Sequence, residues 1–282
     1  MAEKYMFTGH ESFYCKRLWL KKGYDAIVSG TNFSSPESVV KLGVGKNMVA
    51  SIRYWMKATG CLDNNLRPTT LAYLLFDEIH GFDPYVEDDA TLWLLHYNLI
   101  KKNIASIYRL AFLGFKREKK EFTKEQLMRF IQRICSGSTS ASEASISKDL
   151  RVFLQMYVPP VGLKYVEDYG ALFIDLGLIR HTGENKFVFM ETLASAIPNE
   201  VLLYALFDYR HGGKTVSVDG MQDLSLIFGL PMPDLVKAIA GLAVLYPDNI
   251  AYSDNSGIKN VQFINCKLPP KSEQFCQRKL NS

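Results

Sequence analysis

The segment from Lys46 to Ala58 constrains the fold more than any other part of the sequence. At the α-helical angle of about 100° per residue, Arg53 and Lys57 fall within about 20° of Lys46. The opposite side of the same helix is apolar and is formed by Met48, Val49, Ile52, Trp55 and Met56. Because only a helical period separates these side chains so cleanly, the segment predicts an amphipathic helix with one side against a core.

A second helix is predicted directly before this one. Ser35-Pro36-Glu37 is typical of a helix N-terminus, because serine caps, proline suits the first turn and glutamate favours the positive end of the helix dipole. Gly43-Val44-Gly45 then predicts a tight turn. Two helices joined by such a turn predict a helix-turn-helix, in which the second helix enters the major groove of DNA.

The polar side of the second helix predicts contact with nucleic acid. Arginine pairs with guanine, asparagine pairs with adenine, and lysine, serine and tyrosine bind phosphates. No carboxylate occurs between Lys46 and Cys61. The predicted contacts are Lys46, Asn47, Ser51, Arg53, Tyr54 and Lys57, with backbone charge from Lys16, Arg17, Lys21 and Lys22. The alternative is an amphipathic surface helix without a ligand.

The charge of the chain is unevenly distributed, although its net value is only +4. Residues 1–62 carry nine Lys or Arg against four Asp or Glu, and residues 99–133 carry ten against three. Between them, residues 63–98 carry one Arg against seven Asp or Glu. Local positive charge is what releases counterions from DNA, so the two basic blocks favour a nucleic-acid partner. Chance clustering of solvated lysines is the alternative.

The pattern of apolar residues predicts a mainly α fold with two or three helix-turn-helix or winged-helix modules, short β-hairpins and no large sheet. In the last block, three predicted helices precede a hairpin, which is the winged-helix order. We therefore predict an N-terminal DNA-binding domain at 1–120, a middle helical domain at 121–195 and a winged-helix-like domain at 196–282.

Two further helices are predicted with definite ends. The first begins near Arg17 and ends at Gly23, since glycine commonly terminates helices. The second is capped by Ser147 and runs to Tyr157 before a Pro-Pro pair. Its basic and amide side chains at helical spacing, which make it a second candidate for reading DNA, are Lys148, Arg151 and Gln155.

Two groups of residues are candidates for phosphodiester chemistry. His10-Glu11 could act as general base and as acid or metal ligand. Glu87, Asp88 and Asp89, with His96 beyond them, could hold Mg²⁺ through oxygen ligands. The alternatives are a structural His-Glu pair and a solvated acidic loop that caps the helix starting at Ala90.

Several classes of protein are disfavoured. The five cysteines contain no Cys-x-x-Cys pair, so we expect reduced thiols rather than disulfides or structural zinc. No apolar run reaches the roughly 18 residues of a membrane span, and the first residues (MAEKY) lack the apolar stretch that is typical of a signal peptide. We expect a cytoplasmic protein, and self-association stays open.

Several motifs occur together and resemble one bacterial family. They are Gly9-His10-Glu11-Ser12-Phe13, residues 19–24 (WLKKGY), residues 42–49 (LGVGKNMV) with 51–55 (SIRYW), and Asp83-Pro84-Tyr85 with residues 90–96 (ATLWLLH). The resembled family is known as a domain of unknown function whose genes lie beside a phosphoadenosine-phosphosulfate-reductase-like enzyme. It is similar to the B component of the Ssp DNA phosphorothioation defence systems. The resemblance is strongest over residues 7–100 and loose after about residue 190.

The resemblance implies a DNA-binding and DNA-nicking component of an anti-phage DNA-modification system. It also implies sulfur-transfer and ATPase subunits as partners. If the protein nicks DNA, the polar candidates that match the family are His10, Glu11, Asp88 and His96. The alternatives are a helix-turn-helix transcriptional regulator and a non-catalytic targeting or adaptor subunit. An adaptor would dock its partners through the apolar helix near 234–246 and the basic block 99–133.

Overall fold

The structure is a computed structural model that describes residues 5–136, 141–160 and 170–265. The chain divides into two compact units, Met1–Met190 and Glu191–Ser282. This division lies a few residues before the predicted boundary at 195, whereas the predicted boundary at 120 falls inside the first unit. The mainly α prediction is confirmed, since the only sheets among the described residues are two small antiparallel ones.

The first unit begins with a run of helices. Their bounds are α1 Trp19–Val28, α2 Glu37–Leu42, α3 Lys46–Ala58, α4 Thr70–Phe76 and α5 Asp89–Lys102. A continuous helical stretch follows, consisting of α6 Ser106–Arg109, a π-helical segment Leu110–Phe115 and α7 Lys116–Glu118. Helix α5 is buried from Ala90 to Ile100, as its largely apolar sequence (ATLWLLHYNLI) predicts.

The rest of the first unit and the second unit share the order strand, helix, helix, two-stranded hairpin, which in the second unit follows an additional helix. In the first unit this order is β1 Glu121–Thr123, α8 Lys124–Ile134, α9 Glu143–Tyr157, β2 Ile179–Gly183 and β3 Lys186–Phe189. In the second it is α10 Asn199–Tyr209, β4 Thr215–Ser217, α11 Gln222–Phe228, α12 Met232–Leu245, β5 Ile250–Asn255 and β6 Ile258–Phe263. In both sheets the first strand pairs with the last, giving orders β1-β3-β2 and β4-β6-β5. The sequence predicts hairpins at Leu176–Ile179 with Lys186–Phe189 and at Ile250–Ser253 with Val261–Ile264. Both hairpins are present, but the first strand of the first one lies later, at Ile179–Gly183. Neither β1 nor β4 is predicted, because three residues are too few for a period-two pattern.

The prediction that Gly23 ends the first helix is wrong. Helix α1 continues through Gly23 to Val28. A Cβ atom at this position would lie 2.2 Å from Met56 Sδ and 2.8 Å from Ile52 Cγ2. Glycine is therefore present because α1 and α3 approach closely, which a sequence pattern cannot distinguish from a helix stop.

The predicted start of α9 is also wrong. Ser142, rather than Ser147, caps the helix, and its Oγ accepts from the Ser145 N–H at 3.2 Å. Helix α9 is consequently more than a turn longer than predicted, and Asp149 lies inside it. The Ser-rich residues 137–140 lie outside the described residues, as do Cys266 and Cys276.

The described cysteines are Cys15, Cys61 and Cys135, and all three are buried free thiols. Burial raises the pKa of the Cys61 thiol to about 12, although a hydrogen bond with Thr59 opposes the rise. No single helix in the described part of the chain has the length and apolar character of a membrane span. The bent pair α11–α12 meets that test by length and composition alone.

Candidate nucleic-acid interface

Helix α3 is held by a short turn and a small core. Gly43 ends α2 in the left-handed conformation at φ +63°, and the extended Gly45 precedes the first residue of α3. Helices α1, α2 and α3 share a cluster of buried apolar side chains that includes Ala26, Leu42 and Val49. The turn and the cluster together fix the direction of α3 relative to α2.

One side of α3 presents polar side chains, and it is most exposed at the N-terminal end of the helix. Lys46 and Asn47 are exposed, and Arg53 and Lys57 are half-buried. Among the described residues, none of these three cations forms an ion pair with a carboxylate. Their charge is therefore available to an anionic partner.

Two of the predicted contacts have other surroundings. Ser51 is fully buried, and its Oγ has no hydrogen-bond partner in the described residues. The hydroxyl of Tyr54 is also buried without such a partner, and burial with the nearby Asp149 carboxylate raises the pKa of Tyr54. A Cβ atom at Gly9 would lie 2.4 Å from the Tyr54 ring, so the N-terminal loop covers this edge of α3. Neither polar group faces solvent.

The predicted supporting cations divide into two pairs. Arg17 pairs with Asp175, and Lys21 Nζ lies 2.5 Å from Asp25 Oδ1. These carboxylates offset the charge that the two cations would offer to phosphates. Lys22 is exposed and Lys16 is half-buried, and neither has a carboxylate partner among the described residues.

His10 is the centre of a buried polar contact beside α3. The Ser12 N–H donates to His10 Nδ1 at 3.1 Å, so the ring proton is on Nε2, which donates to Asp149 Oδ1 at 3.0 Å. The Thr8 N–H donates to the same carboxylate oxygen at 2.8 Å. The imidazole is 1% exposed and stacks on Trp55 with centroids 5.9 Å apart. Both ring nitrogens are engaged, so in this conformation the ring has no free nitrogen to act as a base.

The loop that carries His10 has an unusual backbone. Thr8, Glu11 and Ser12 have φ values of 67°, 49° and 67°, in the left-handed region that non-glycine residues rarely adopt. Glu11 is exposed. Such a loop persists only where its surroundings hold it, and here the Asp149 carboxylate holds it from α9.

The acidic residues before α5 have capping roles. Asp88 Oδ1 accepts from the Ala90 N–H at 2.7 Å, and Asp89 lies in the first turn of the helix. Asp83 accepts from the backbone N–H groups of Glu87 and Asp88. These contacts match the alternative of an acidic loop that caps the helix.

His96 is separate from that loop and lies in an aromatic core. It is fully buried, with Nδ1 2.8 Å from the Tyr157 hydroxyl and the ring of Phe112 at 5.0 Å. Among the described residues, no group of three or more His, Cys, Asp or Glu side chains could hold a metal ion. The predicted ligands Asp88 and Asp89 therefore do not form a magnesium site with His96.

Asp149 is the residue that sequence reasoning missed. It lies 139 positions from His10, and no local pattern joins the two. One signal was present, because Asp149 falls three residues after Ile146 and four before Phe153, on the apolar side of α9. A carboxylate on a buried helix side predicts a buried polar partner.

Comparison with known proteins gives consistent matches over the whole chain. A crystal structure of magnesium ion-bound SspB has a TM-score of 0.81 and 26% identity, covering 98% of this chain and 94% of that chain. An SspB crystal structure with a TM-score of 0.76 and 25% identity covers the same shares. No curated protein matches significantly in sequence. The family model described as "Protein of unknown function (DUF4007)" matches residues 7–276, so the chain belongs to the DUF4007 family.

Proposed function

We propose that this protein is the DNA-binding component of a bacterial DNA phosphorothioation system and that it contacts duplex DNA through α3. The observation that carries this proposal is the composition of α3. Its polar side carries Lys46, Asn47, Arg53 and Lys57, and the helix contains no aspartate or glutamate. Arginine and asparagine read base edges, and lysine neutralises phosphates. The likeness to SspB and the family resemblance are the reasons for assigning the protein to a phosphorothioation system. The resemblance also indicates sulfur-transfer and ATPase subunits as its partners.

The order of elements supports DNA-binding modules. We assign α2 and α3 to a helix-turn-helix because a three-residue turn joins them. We assign the two strand-helix-helix-hairpin segments to winged-helix modules, whose first strand pairs with the last strand of the hairpin. Helices α9 and α12 then hold the recognition position. Helix α12 carries one lysine, Lys237, which pairs with Asp234, so it is a poor reader of DNA.

Removing the α3 cations is expected to weaken DNA binding. Lys46→Ala and Arg53→Ala should each cost about 1–3 kcal/mol of binding free energy, because each loses a phosphate or base contact. Lys57→Ala should lower the salt slope of log K by about one, since one fewer counterion is released. Fluorescence anisotropy with labelled duplex DNA over a series of salt concentrations measures both effects.

The matched control is Lys41→Ala, which removes an exposed lysine from α2 and should leave the affinity nearly unchanged. Affinities unaffected by all three α3 variants would dismiss this helix as the reader. The adaptor function would then be favoured, with α12 and residues 99–133 as its docking surfaces. Co-purification with the sulfur-transfer subunit after nuclease treatment would identify that case.

Strand nicking is the second candidate function, because the magnesium-bound SspB structure and the family resemblance both favour it. The described residues do not assemble a metal-holding group, so no catalytic step is assigned to a metal here. We expect wild-type protein with Mg²⁺ to convert supercoiled plasmid into open circles and EDTA to stop the reaction.

The same plasmid assay tests the residues and the alternative. Glu11→Ala changes an exposed side chain. His10→Ala removes a buried contact and Asp88→Ala removes the N-cap of α5, so both need a circular dichroism control. Loss of nicking in a variant that is still folded would identify the replaced residue as part of the nicking site. DNA binding without relaxation under any divalent metal would leave a targeting subunit or a transcriptional regulator.

A further inference from the structure

The first unit has a second polar feature, which is lined by residues outside α3. It is a pocket of about 370 Å³ between the C-terminal half of α9, the start of α8 and the β2–β3 hairpin. Pockets that hold small ligands begin at roughly 300 Å³. Its polar and aromatic lining consists of Tyr14, Lys124, Arg151, Gln155, His181 and Phe187.

The pocket lining places a lysine amine and a histidine ring beside a buried phenylalanine ring. Lys124 Nζ lies 5.9 Å from the centroid of the Phe187 ring, and the His181 ring lies 5.1 Å from the same ring. Phe187 is buried and fixed by pairing with Phe122 across β1 and β3. Tyr14 is half-buried and adds a second aromatic surface.

Among the described residues, the side chains of formal charge that line the pocket are basic. Arg151 and Lys124 are exposed, and neither forms an ion pair within the described residues. No aspartate or glutamate of residues 5–136, 141–160 or 170–265 lines the pocket. The exposed side-chain amide of Gln155, one turn along α9 from Arg151, offers both a donor and an acceptor.

We propose that this pocket binds a nucleoside monophosphate unit. The base would stack on the half-buried Tyr14 ring and pair with the Gln155 amide, while Arg151 and Lys124 hold the phosphate. An apolar peptide would leave both cations unpaired, and a phosphopeptide lacks the base edge that Gln155 matches. The unit comes from a free mononucleotide or from an unpaired nucleotide of a DNA strand. The proposal does not rest on α3 as the reader of duplex DNA.

Calorimetric titration of the full chain with deoxyadenosine monophosphate tests the site. We expect saturable binding that Arg151→Ala and Tyr14→Ala each weaken by about tenfold or more. Tyr14→Phe keeps the ring and should bind like wild type. The matched control is Arg180→Ala, which removes an exposed charge from β2 outside the pocket. Deoxyadenosine and deoxyribose phosphate, each lacking one half of the ligand, should bind more weakly.

A second titration distinguishes the sources of the nucleotide. Labelled DNA carrying one unpaired adenine is compared with the fully paired duplex, using wild type and Arg151→Ala. If Arg151→Ala weakens binding of the DNA with the unpaired adenine but not of the free mononucleotide, the pocket binds a nucleotide of a DNA strand. If Arg151→Ala weakens binding of the free mononucleotide only, the pocket binds a free ligand. Absence of both effects, or tighter binding of phosphotyrosine than of the mononucleotide, would overturn the proposal. Arg53→Ala, measured on the paired duplex, tests α3 separately.

Discussion

Replacing Asp149 by alanine is expected to lower the free energy of unfolding by about 2–6 kcal/mol, because two buried hydrogen-bond donors lose their acceptor at roughly 1–3 kcal/mol each. The carboxylate is 1% exposed and accepts from both His10 Nε2–H and the Thr8 N–H. Alanine would leave both donors buried and unpaired and would release the left-handed loop at residues 8–12. Urea denaturation followed by circular dichroism measures the change.

Two controls separate the buried contact from a general effect of losing a carboxylate. Asp149→Asn keeps an oxygen that accepts both hydrogen bonds, so it should cost clearly less than alanine. Asp175→Ala removes the half-exposed partner of Arg17 and should cost less than about 1 kcal/mol. A loss below 1 kcal/mol for Asp149→Ala would contradict the role assigned to this carboxylate.

The second large effect is expected at Trp55, on the buried side of α3. Trp55→Ala should cost about 3–5 kcal/mol, because a fully buried indole is replaced by a cavity. The ring also stacks on His10, and its Nε1–H donates to the Phe13 carbonyl at 3.0 Å. The loss should appear in urea denaturation as a lower midpoint with a slope close to that of wild type.

A graded pair of variants tests the two contributions of Trp55. Trp55→Phe keeps most of the buried ring but loses the indole donor. Its free energy of unfolding should therefore lie between those of wild type and Trp55→Ala. Asn47→Ala, at an exposed position of the same helix, should change stability by less than about 0.5 kcal/mol. Equal losses for the phenylalanine and alanine variants would mean that the hydrogen bond to Phe13, rather than packing, carries the effect.

Both predictions concern the support of α3 rather than its solvent side. His10 lies between Trp55 on α3 and Asp149 on α9, and its loop covers the Tyr54 edge of α3. The buried contact therefore joins the helix proposed to read DNA to α9, which lines the pocket proposed to bind a nucleotide. A His10 variant could therefore lose DNA affinity because α3 is less well supported. Comparison with Lys46→Ala, which removes only an exposed side chain of α3, separates this effect from the loss of a DNA contact.

The sequence by itself determined the local features of this protein. The glycines around residue 44 set the turn, and the 3.6-residue period separated the buried Trp55 from the exposed Lys46. The mainly α composition, both hairpins and the capping of α5 by Asp88 also follow from neighbours in sequence. Helix caps and periodic burial depend on residues three or four positions apart, so a single sequence contains their signal.

Only the tertiary structure decided which distant residues meet. It placed Asp149 against His10, made Gly23 a close approach between helices and buried the polar Ser51. It also added β1 and β4 to the hairpins and kept His96 apart from the acidic loop. These outcomes depend on contacts between segments far apart in the chain. Whether a side chain near the edge of a helix face is covered depends on the element that packs there, which the period of its own helix does not specify.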